Sequence, residues 1–366
     1  MHNQRGTAVK KKLIIIAVIV AIVLALLIAA WVIIMPKLER YIPLYNDEKG
    51  KSQEDKTYVL TIEKEDFAQE VAKELYDNEI IINADRFLNY LNEHYPNFNW
   101  LNGIYELNAN MSYQELCEAL QKPNKRITYT KFVVPEGKTV PEIAKIVEAS
   151  ELCSAEEFLA AADSYDYDYY FMDELKKRDQ SLIAYKLEGF LFPATYEFRN
   201  DTVTATAIVD KMLHTFTQYV TEEMVEKAKA LGLSLNEFVT FGAVIQAEAF
   251  SVESMAGVSS VFWNRLNSSH MKQLQSDPTM FYTDTLESLP HYSQKMADAY
   301  STYSCVGLPV GPTNCPGVAT LKAVLEPDET EYFYFVTDSN GEFYFNETLK
   351  GHNKTIQTLK KQGLWG

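Results

Sequence analysis

Apolar and polar positions divide the chain into stretches with different periodicities. Leu13 to Ile34 carries no charged residue over 22 positions, and as a helix it would span roughly 33 Å, the thickness of a bilayer core. From residue 35 to residue 56 the chain is polar and shows no apolar period. Strand-like and helical runs then follow to the carboxyl terminus. This pattern predicts a single transmembrane helix at 13–34, a juxtamembrane linker at 35–56 and an α+β remainder.

The residues around the apolar run predict its orientation. Three lysines at 10–12 precede it, so the positive-inside rule places residues 1–12 in the cytoplasm as a short tail. Lys37 and Arg40 also flank the far end. A cleaved signal peptide is the competing interpretation, but the run is longer than the usual apolar core of about 7–15 residues. We therefore predict a single-pass plasma-membrane protein whose remainder lies outside the cytoplasm.

A small strand and helix module follows the linker. Residues 58–62 and 103–108 have the composition of strands, and residues 66–81 and 85–95 have helical periodicity. Part of the module recurs 72 residues later, where Glu142–Lys145 repeats the pattern of Glu70–Lys73. Short β-α units of this kind occur in peptidoglycan-binding LysM modules. We predict a LysM-like domain at 57–128, although other α+β proteins share the pattern.

The pattern beyond Pro135 predicts a larger mixed α+β domain at 129–366. A segment with the sequence LEGFLFPATYEF is interrupted by Gly189 and Pro193, which predicts a bent, buried segment instead of a regular strand. LQSDPT predicts a polar turn, and YFYFV with EFYFN predicts a hairpin. The expected helices are Val140–Ala149, Ala155–Asp163, Thr202–Leu231, Ala256–Leu266 and one that ends at Leu325.

The helix that reaches Glu248 carries the main chemical signal. Ser234, followed three residues later by Glu237, forms a capping box, so a helix begins there. At about 100° per residue, Glu248 shares a flank with Phe241 and Val244, and its carboxyl group leaves an apolar surface. Burial raises the pKa of a carboxyl group toward values at which it donates a proton near neutrality. A solvated or ion-paired Glu248 at the helix edge is the alternative interpretation.

The composition argues against several functional classes. A formal net charge of -16 argues against nucleic acid as a partner. The 23 Tyr, 19 Phe and 4 Trp supply either a large core or stacking surfaces for sugars. The four cysteines show no CxxC spacing, so no zinc site is predicted. Cys305 and Cys315 either pair in an oxidising compartment or act as small unpaired hydrophobes.

A series of strings in a fixed order brings the chain close to one family. LEGFLFPATYEF, AEAF, SSVFWNRL, LQSDPT, YSTY, GLPVGP, YFYFV and GHNK occur in this order. Together they closely resemble the endolytic murein transglycosylase family, also called MltG or YceG-like, from roughly Tyr58 to the carboxyl terminus. The resemblance implies a LysM-like module followed by a YceG-like catalytic domain at 129–366. It also implies a helix glutamate, matched by Glu248, that cleaves the bond between MurNAc and GlcNAc in nascent glycan strands.

One departure from the family pattern lies just before that glutamate. The family commonly shows Glu-Lys-Glu where this chain has Gln246-Ala247-Glu248. Residues two apart on a helix point about 200° apart, so we expect Gln246 on the helix surface, facing away from the pocket that Glu248 enters. The substitution is then expected to leave the chemistry unchanged.

The resemblance implies a lytic mechanism that uses one carboxylate. Glu248 would protonate the glycosidic oxygen and then accept the proton of the muramyl C6 hydroxyl, which closes a 1,6-anhydro ring. Glu188, Asp277 and Tyr303 are the candidate contacts with the sugars, and Glu188 is alternatively a paired structural carboxylate. The scheme needs no metal and no organic cofactor. The expected partners are peptidoglycan strands, the plasma membrane and peptidoglycan synthases of the elongation or division machinery.

Two other functions remain open at this point. A hydrolytic muramidase would use Asp277 or Glu188 as a second carboxylate. A non-enzymatic scaffold that binds the cell wall at the divisome would need only the anchor and the LysM-like module. The missing acid at Gln246 is compatible with the scaffold, whereas the retained Glu248 argues against it.

Overall fold

The computed structural model describes residues 23, 24, 28, 56–249 and 251–365. It is a mixed α+β structure that divides into two compact units, Met1–Ile127 and Thr128–Gly366. The predicted cytoplasmic tail, transmembrane helix and linker lie outside the described residues, apart from Val23, Leu24, Ile28 and Lys56. Among the described residues, no single helix is long and apolar enough to cross a membrane, and one pair of helices bent by 92°, Glu222–Ala230 with Leu235–Glu248, passes that test together.

The first unit packs helices against a three-stranded antiparallel sheet of order β1-β2-β3. Side chains that alternate along β1 and β2, including Leu60, Ile62, Tyr105 and Leu107, are buried and form one core with the helices. The predicted strands and the first two helices are present, whereas α3 and β3 were not predicted. The elements are β1 (Thr57–Ile62), α1 (Ala68–Asp77), α2 (Ala84–His94), β2 (Gly103–Asn108), α3 (Tyr113–Leu120) and β3 (Lys125–Arg126).

The second unit is mainly helical, with two antiparallel pairs of strands, β4 with β5 and β6 with β7. Its strands are β4 (Tyr129–Val133), β5 (Thr195–Arg199), β6 (Tyr334–Thr337) and β7 (Phe343–Asn346). Its helices are α4 (Val140–Ala149), α5 (Ala155–Ala162), α6 (Met172–Lys176), α7 (Ala205–Tyr219), α8 (Glu222–Ala230), α9 (Leu235–Glu248), α10 (Val252–Asn267), α11 (Asp277–Leu286), α12 (Gln294–Tyr300), α13 (Val318–Leu325) and α14 (Leu349–Gln362).

The internal repeat corresponds to the same local structure in each unit. β1 leads into α1, and β4 leads into α4. Glu70 and Glu142 are the third residues of their helices, and each carboxylate accepts the backbone N–H of the residue that precedes the helix. The repeated letters therefore encode the capped start of a helix that follows a strand.

The structure corrects four of the predicted elements. The single helix expected at 202–231 is two helices, because the chain breaks at Val220 and the Thr221 side chain accepts the Met224 N–H to begin α8. The predicted turn ends at Ser276, where α11 begins with Pro278 in its first turn, a position that lacks an intrahelical N–H partner in any case. Helix α10 begins four residues earlier than expected, and the end of LEGFLFPATYEF pairs as β5.

Helix α9 lies in the centre of the core of the second unit. Every residue from Phe238 to Ile245 is buried. The Ser234 side chain accepts the Glu237 N–H, and the Glu237 carboxylate accepts the Ser234 N–H at 2.8 Å, which confirms the predicted capping box. Gly242 allows α13 to approach closely, because a Cβ at this position would lie 2.7 Å from Leu321 Cδ2. The direction of α9, and thus the place of its last residue, Glu248, is fixed by this packing.

Gly189 joins the bent segment to α9 and to the loop before α13. Its φ is +85°, in the left-handed region, and a Cβ there would lie 2.4 Å from the Cβ of Pro312 and 3.0 Å from Val239 Cγ1. Gly341, in the turn between β6 and β7, has a similar φ of +84° with nothing within 4 Å. The two glycines therefore separate the effect of backbone strain from the effect of steric overlap.

We expect Gly189→Ala to destabilise the protein more than Gly341→Ala. Both variants acquire the left-handed penalty of about 1–2 kcal/mol, but only Gly189→Ala also forces the packed neighbours apart, at about 1–3 kcal/mol. Thermal unfolding of the two variants and the parent measures the difference. Equal losses of stability would contradict the close packing described at Gly189.

Candidate functional site

Glu248 is the last residue of α9, and the chain turns away from the helix at Ala249. Its side chain is half-buried, unlike the fully buried residues of the preceding turns. The last turn of a helix carries unpaired carbonyl groups and a partial negative charge, which disfavours a carboxylate there. The helix thus delivers an acid to a position that favours its protonated form.

Three neighbouring groups act on Glu248 in opposite directions. Burial is the largest effect and raises the pKa of Glu248. The Ser276 hydroxyl opposes this by stabilising the carboxylate, the negative charge of Asp277 raises the pKa further, and the Arg265 guanidinium lowers it. The net result is a pKa above the ordinary carboxyl value, as a general acid requires.

A buried network of hydroxyl groups fixes the start of α11 beside Glu248. Ser276 N–H donates to Thr302 Oγ1 at 2.8 Å, and Thr279 Oγ1 donates to the Ser276 carbonyl at 2.7 Å. The two threonine hydroxyls also contact each other at 2.8 Å. The Ser276 side chain is fully buried and faces Glu248, while its Oγ meets no partner within strict hydrogen-bond geometry in the described part of the chain.

Asp277 and Tyr303, two of the predicted sugar contacts, lie together at the edge of this site. The Tyr303 hydroxyl donates to Asp277 Oδ1 at 2.6 Å, and both side chains are exposed. Burial of its ring, the hydrogen bond to Asp277 and the charges of Asp277 and Glu248 raise the pKa of Tyr303 to about 12. Tyr303 therefore remains a neutral hydrogen-bond donor at physiological pH.

Arg265, on α10, is a site residue that sequence reasoning missed. Its Nε donates to the Phe333 carbonyl at 2.8 Å, and its Nη1 donates to the Leu274 carbonyl. The guanidinium lies 5.6 Å from the centroid of Tyr334, whose ring also stacks on His352. Burial lowers the pKa of Arg265, and Glu248 is among the groups that raise it. A basic residue within the apolar string SSVFWNRL was the available signal, because buried charges need partners.

Glu188, the third predicted sugar contact, is buried as a paired carboxylate. It is 1% exposed, and its two oxygens accept the Val140 N–H at 3.0 and 3.2 Å. The Tyr282 hydroxyl lies 3.4 Å from Oε2. Burial raises the pKa of Glu188 to about 8, against the opposing hydrogen bonds. Glu188 thus holds the first turn of α4 to α11, as in the structural interpretation that the sequence left open.

Gln246 does not lie on a free helix surface, which corrects that expectation. Its Oε1 accepts the Gly317 N–H at 2.9 Å and the Thr320 hydroxyl at 3.2 Å, at the start of α13. The side chain is half-buried. Gln246 and Glu248 therefore contact different elements, as their spacing on the helix predicts.

The described residues were also compared with the requirements of metal and disulfide sites. Within these residues, no group of three or more His, Cys, Asp or Glu side chains is arranged to hold a metal ion. All four cysteines are free thiols, so the pairing considered for Cys305 and Cys315 is not formed.

Comparisons with known proteins agree with the site described above. A family model described as the YceG-like family matches residues 60–358. A Bacillus subtilis protein named endolytic murein transglycosylase is 30% identical over 263 residues, which cover 69% of this chain and 71% of that protein. A protein of the same name from Streptococcus pneumoniae D39 is 27% identical over 278 residues, or 69% of this chain and 50% of that protein.

A solved structure extends the similarity to the fold. The crystal structure of a YceG-like protein from Listeria monocytogenes superimposes with a TM-score of 0.51 at 28% sequence identity. The superposition covers 82% of this chain and 100% of the Listeria chain.

We expect Glu248→Gln to become more stable than the parent as the pH rises. The pKa of Glu248 is raised in the folded protein, so the stability contributed by the protonated form is present at low pH and is lost as the pH rises through the folded pKa. Glutamine stays neutral at every pH and has nearly the same volume. Urea unfolding at a series of pH values measures the difference, and a difference that shrinks toward alkaline pH would contradict the raised pKa.

Proposed function

The chain belongs to the YceG-like family, and from this premise we propose that it is a peptidoglycan lytic transglycosylase. It cleaves the bond between MurNAc and GlcNAc and leaves 1,6-anhydro-MurNAc ends. The observation that carries the proposal is a half-buried Glu248 with a raised pKa, placed between an anion, Asp277, and a cation, Arg265. The names of the Bacillus and Streptococcus relatives support the choice of substrate.

The first step needs the protonated form of Glu248. Its carboxyl group donates a proton to the glycosidic oxygen while the bond from that oxygen to the muramyl C1 breaks. Positive charge grows at C1, and the Asp277 carboxylate, held by Tyr303, is the nearby exposed anion that can stabilise it. Burial and the charge of Asp277, which both raise the pKa of Glu248, keep the proton available for this step.

The second step needs the ionised form of the same residue. The Glu248 carboxylate accepts the proton of the muramyl C6 hydroxyl as that oxygen bonds to C1, which closes the 1,6-anhydro ring and restores the starting acid. Arg265 and Ser276 both lower the pKa of Glu248 and so stabilise the carboxylate between the two steps. The substrate supplies its own nucleophile, so one carboxylate can serve as acid and then as base.

The hydrolytic muramidase requires a second carboxylate that reaches a water molecule. Glu188 is 1% exposed and is engaged by Val140 and Tyr282, which argues against this role. Asp277 is exposed and remains the residue that a hydrolase would use. Product analysis therefore distinguishes the two reactions better than geometry does.

We further propose that the enzyme is anchored in the plasma membrane by a single helix at 13–34, with residues 1–12 in the cytoplasm and the catalytic domain outside. The apolar run and the lysines at 10–12 support this arrangement. The first unit, with two helices between the antiparallel strands β1 and β2, supports a LysM-like module. Such an enzyme would cut nascent strands internally, limit their elongation and work beside peptidoglycan synthases.

We expect Glu248→Gln to abolish cleavage of uncrosslinked glycan strands and Gln246→Glu to retain it. The first change removes the transferable proton, whereas a glutamate at 246 still offers an oxygen to Gly317 and Thr320. Mass spectrometry of the parent's products should find anhydro ends, which lack the water of a hydrolytic product and resist reduction by borohydride.

Each alternative product has a definite meaning. Reducible muramyl ends would identify a muramidase, and binding without cleavage by the parent would identify a scaffold. Near-normal turnover by Glu248→Gln would refute the assignment of the general acid. Release of disaccharides from strand ends alone would preserve the chemistry and refute internal cleavage.

We expect protease added to intact spheroplasts to digest the chain after Pro36. The reason is the charge asymmetry that places the large acidic remainder outside the cytoplasm. Immunoblotting against each end of the chain measures the digestion, and a cytoplasmic protein serves as the control for lysis. Full protection of the region after Pro36 in intact spheroplasts would overturn the orientation.

A further inference from the structure

A groove of about 530 Å³ lies next to the proposed active site. Ala247 and Pro278, the chain neighbours of Glu248 and Asp277, line it. The start of α4 forms one wall, and the loop residues Thr313 and Asn314 form another. Its size falls within the range of small-ligand sites, roughly 300–1,000 Å³. The groove therefore continues from the reacting groups along the surface of the second unit.

Asn314 supplies an unpaired polar atom at this groove. The residue is 5% exposed, and its Nδ2 donates to the Ala243 carbonyl at 2.9 Å. Its Oδ1 meets no hydrogen-bond partner among the residues that the structure describes. Rotating the amide by 180° would place Oδ1 against the Ala243 carbonyl oxygen, so the donor contact fixes the orientation. A buried carbonyl oxygen without a donor loses about 1–3 kcal/mol relative to a satisfied one.

Phe281 supplies an apolar surface at the same groove. Its side chain is 65% exposed on α11, although α11 otherwise buries its large residues Tyr282 and Leu286. A lone exposed aromatic ring is common on protein surfaces. Here it lines the groove that also contains the unpaired Asn314. An aromatic face beside a buried acceptor matches a pyranose ring, which has an apolar C–H face and polar edges that donate hydrogen bonds.

We propose that this groove is a glycan subsite next to the site of cleavage. An N-acetylhexosamine of the strand stacks on Phe281 and donates a hydrogen bond, from its amide N–H or a hydroxyl, to Asn314 Oδ1. This inference rests on the proposed function and extends it. A subsite that holds the strand away from the scissile bond gives internal cutting a physical basis, because a longer strand gains contacts that a short fragment lacks.

The test uses the full-length chain in detergent with Glu248→Gln present, so that bound strands stay intact. We expect Phe281→Ala and Asn314→Ala each to raise the Kd for long uncrosslinked strands about tenfold, the loss of one hydrogen bond or stacking contact. The matched control is Met280→Ala, which removes an exposed apolar side chain from the same helix outside the groove. Isothermal titration gives the affinities.

Strand length separates a subsite from a structural effect. In chains that retain Glu248, the same two substitutions should lower kcat/KM for long strands and leave the shortest cleavable fragment nearly unchanged. A fall of equal size for both lengths would overturn the subsite and indicate misfolding or damage to the reacting groups. Phe281 is exposed, so Phe281→Ala decides the question if Asn314→Ala fails to fold.

The remaining outcomes distinguish the two levels of inference. Affinities equal to those of Met280→Ala would refute the subsite and leave the lytic activity intact. An absence of strand binding by every variant, together with an absence of cleavage by the parent chain, would refute both the subsite and the proposed function.

Discussion

The burial of α9 is the physical constraint that shapes the second unit. Its backbone and side-chain polar groups have lost water, so neighbouring elements must supply partners. Asn236 N–H donates to Glu174 at 2.8 Å, Asn236 Oδ1 accepts from Arg178 at 3.1 Å, and the Ala243 carbonyl accepts from Asn314 at 2.9 Å. These partners come from the elements before and after α9 in the chain. They hold the helix along its length, so the carboxyl group at its last residue occupies one place.

The chemistry of Glu248 follows from that place. Burial at the carbonyl end of a helix and the charge of Asp277 favour the acid, whereas Arg265 and the Ser276 hydroxyl favour the carboxylate. A group that gives a proton and then takes one back within a turnover must not be strongly biased toward either form. Opposed influences of this kind keep both forms accessible. A residue dominated by burial alone would donate slowly, and one paired tightly with Arg265 would have no proton to give.

The sequence was sufficient where the structure depends on neighbouring residues, and insufficient where it depends on distant ones. The capping box of α9, the bounds of α4 and the hairpin of β6 and β7 all follow from patterns within a few residues. Arg265 escaped prediction because its partner Phe333 is 68 residues away. Glu188 remained ambiguous because the Val140 N–H that pairs it is 48 residues away. No local pattern reports either distance.

The glutamine at position 246 has a local electrostatic explanation that leaves Glu248 untouched. Its Oε1 accepts the Gly317 N–H at the start of α13, a role that either an amide or a carboxylate oxygen can fill. The Glu136 carboxylate packs directly against Gly317, where a Cβ would overlap it. A glutamate at 246 would place two anions at the same helix terminus, whereas glutamine keeps the hydrogen bond without the repulsion. The substitution thus adjusts the junction of α9 and α13 while the reacting carboxyl group keeps its neighbours.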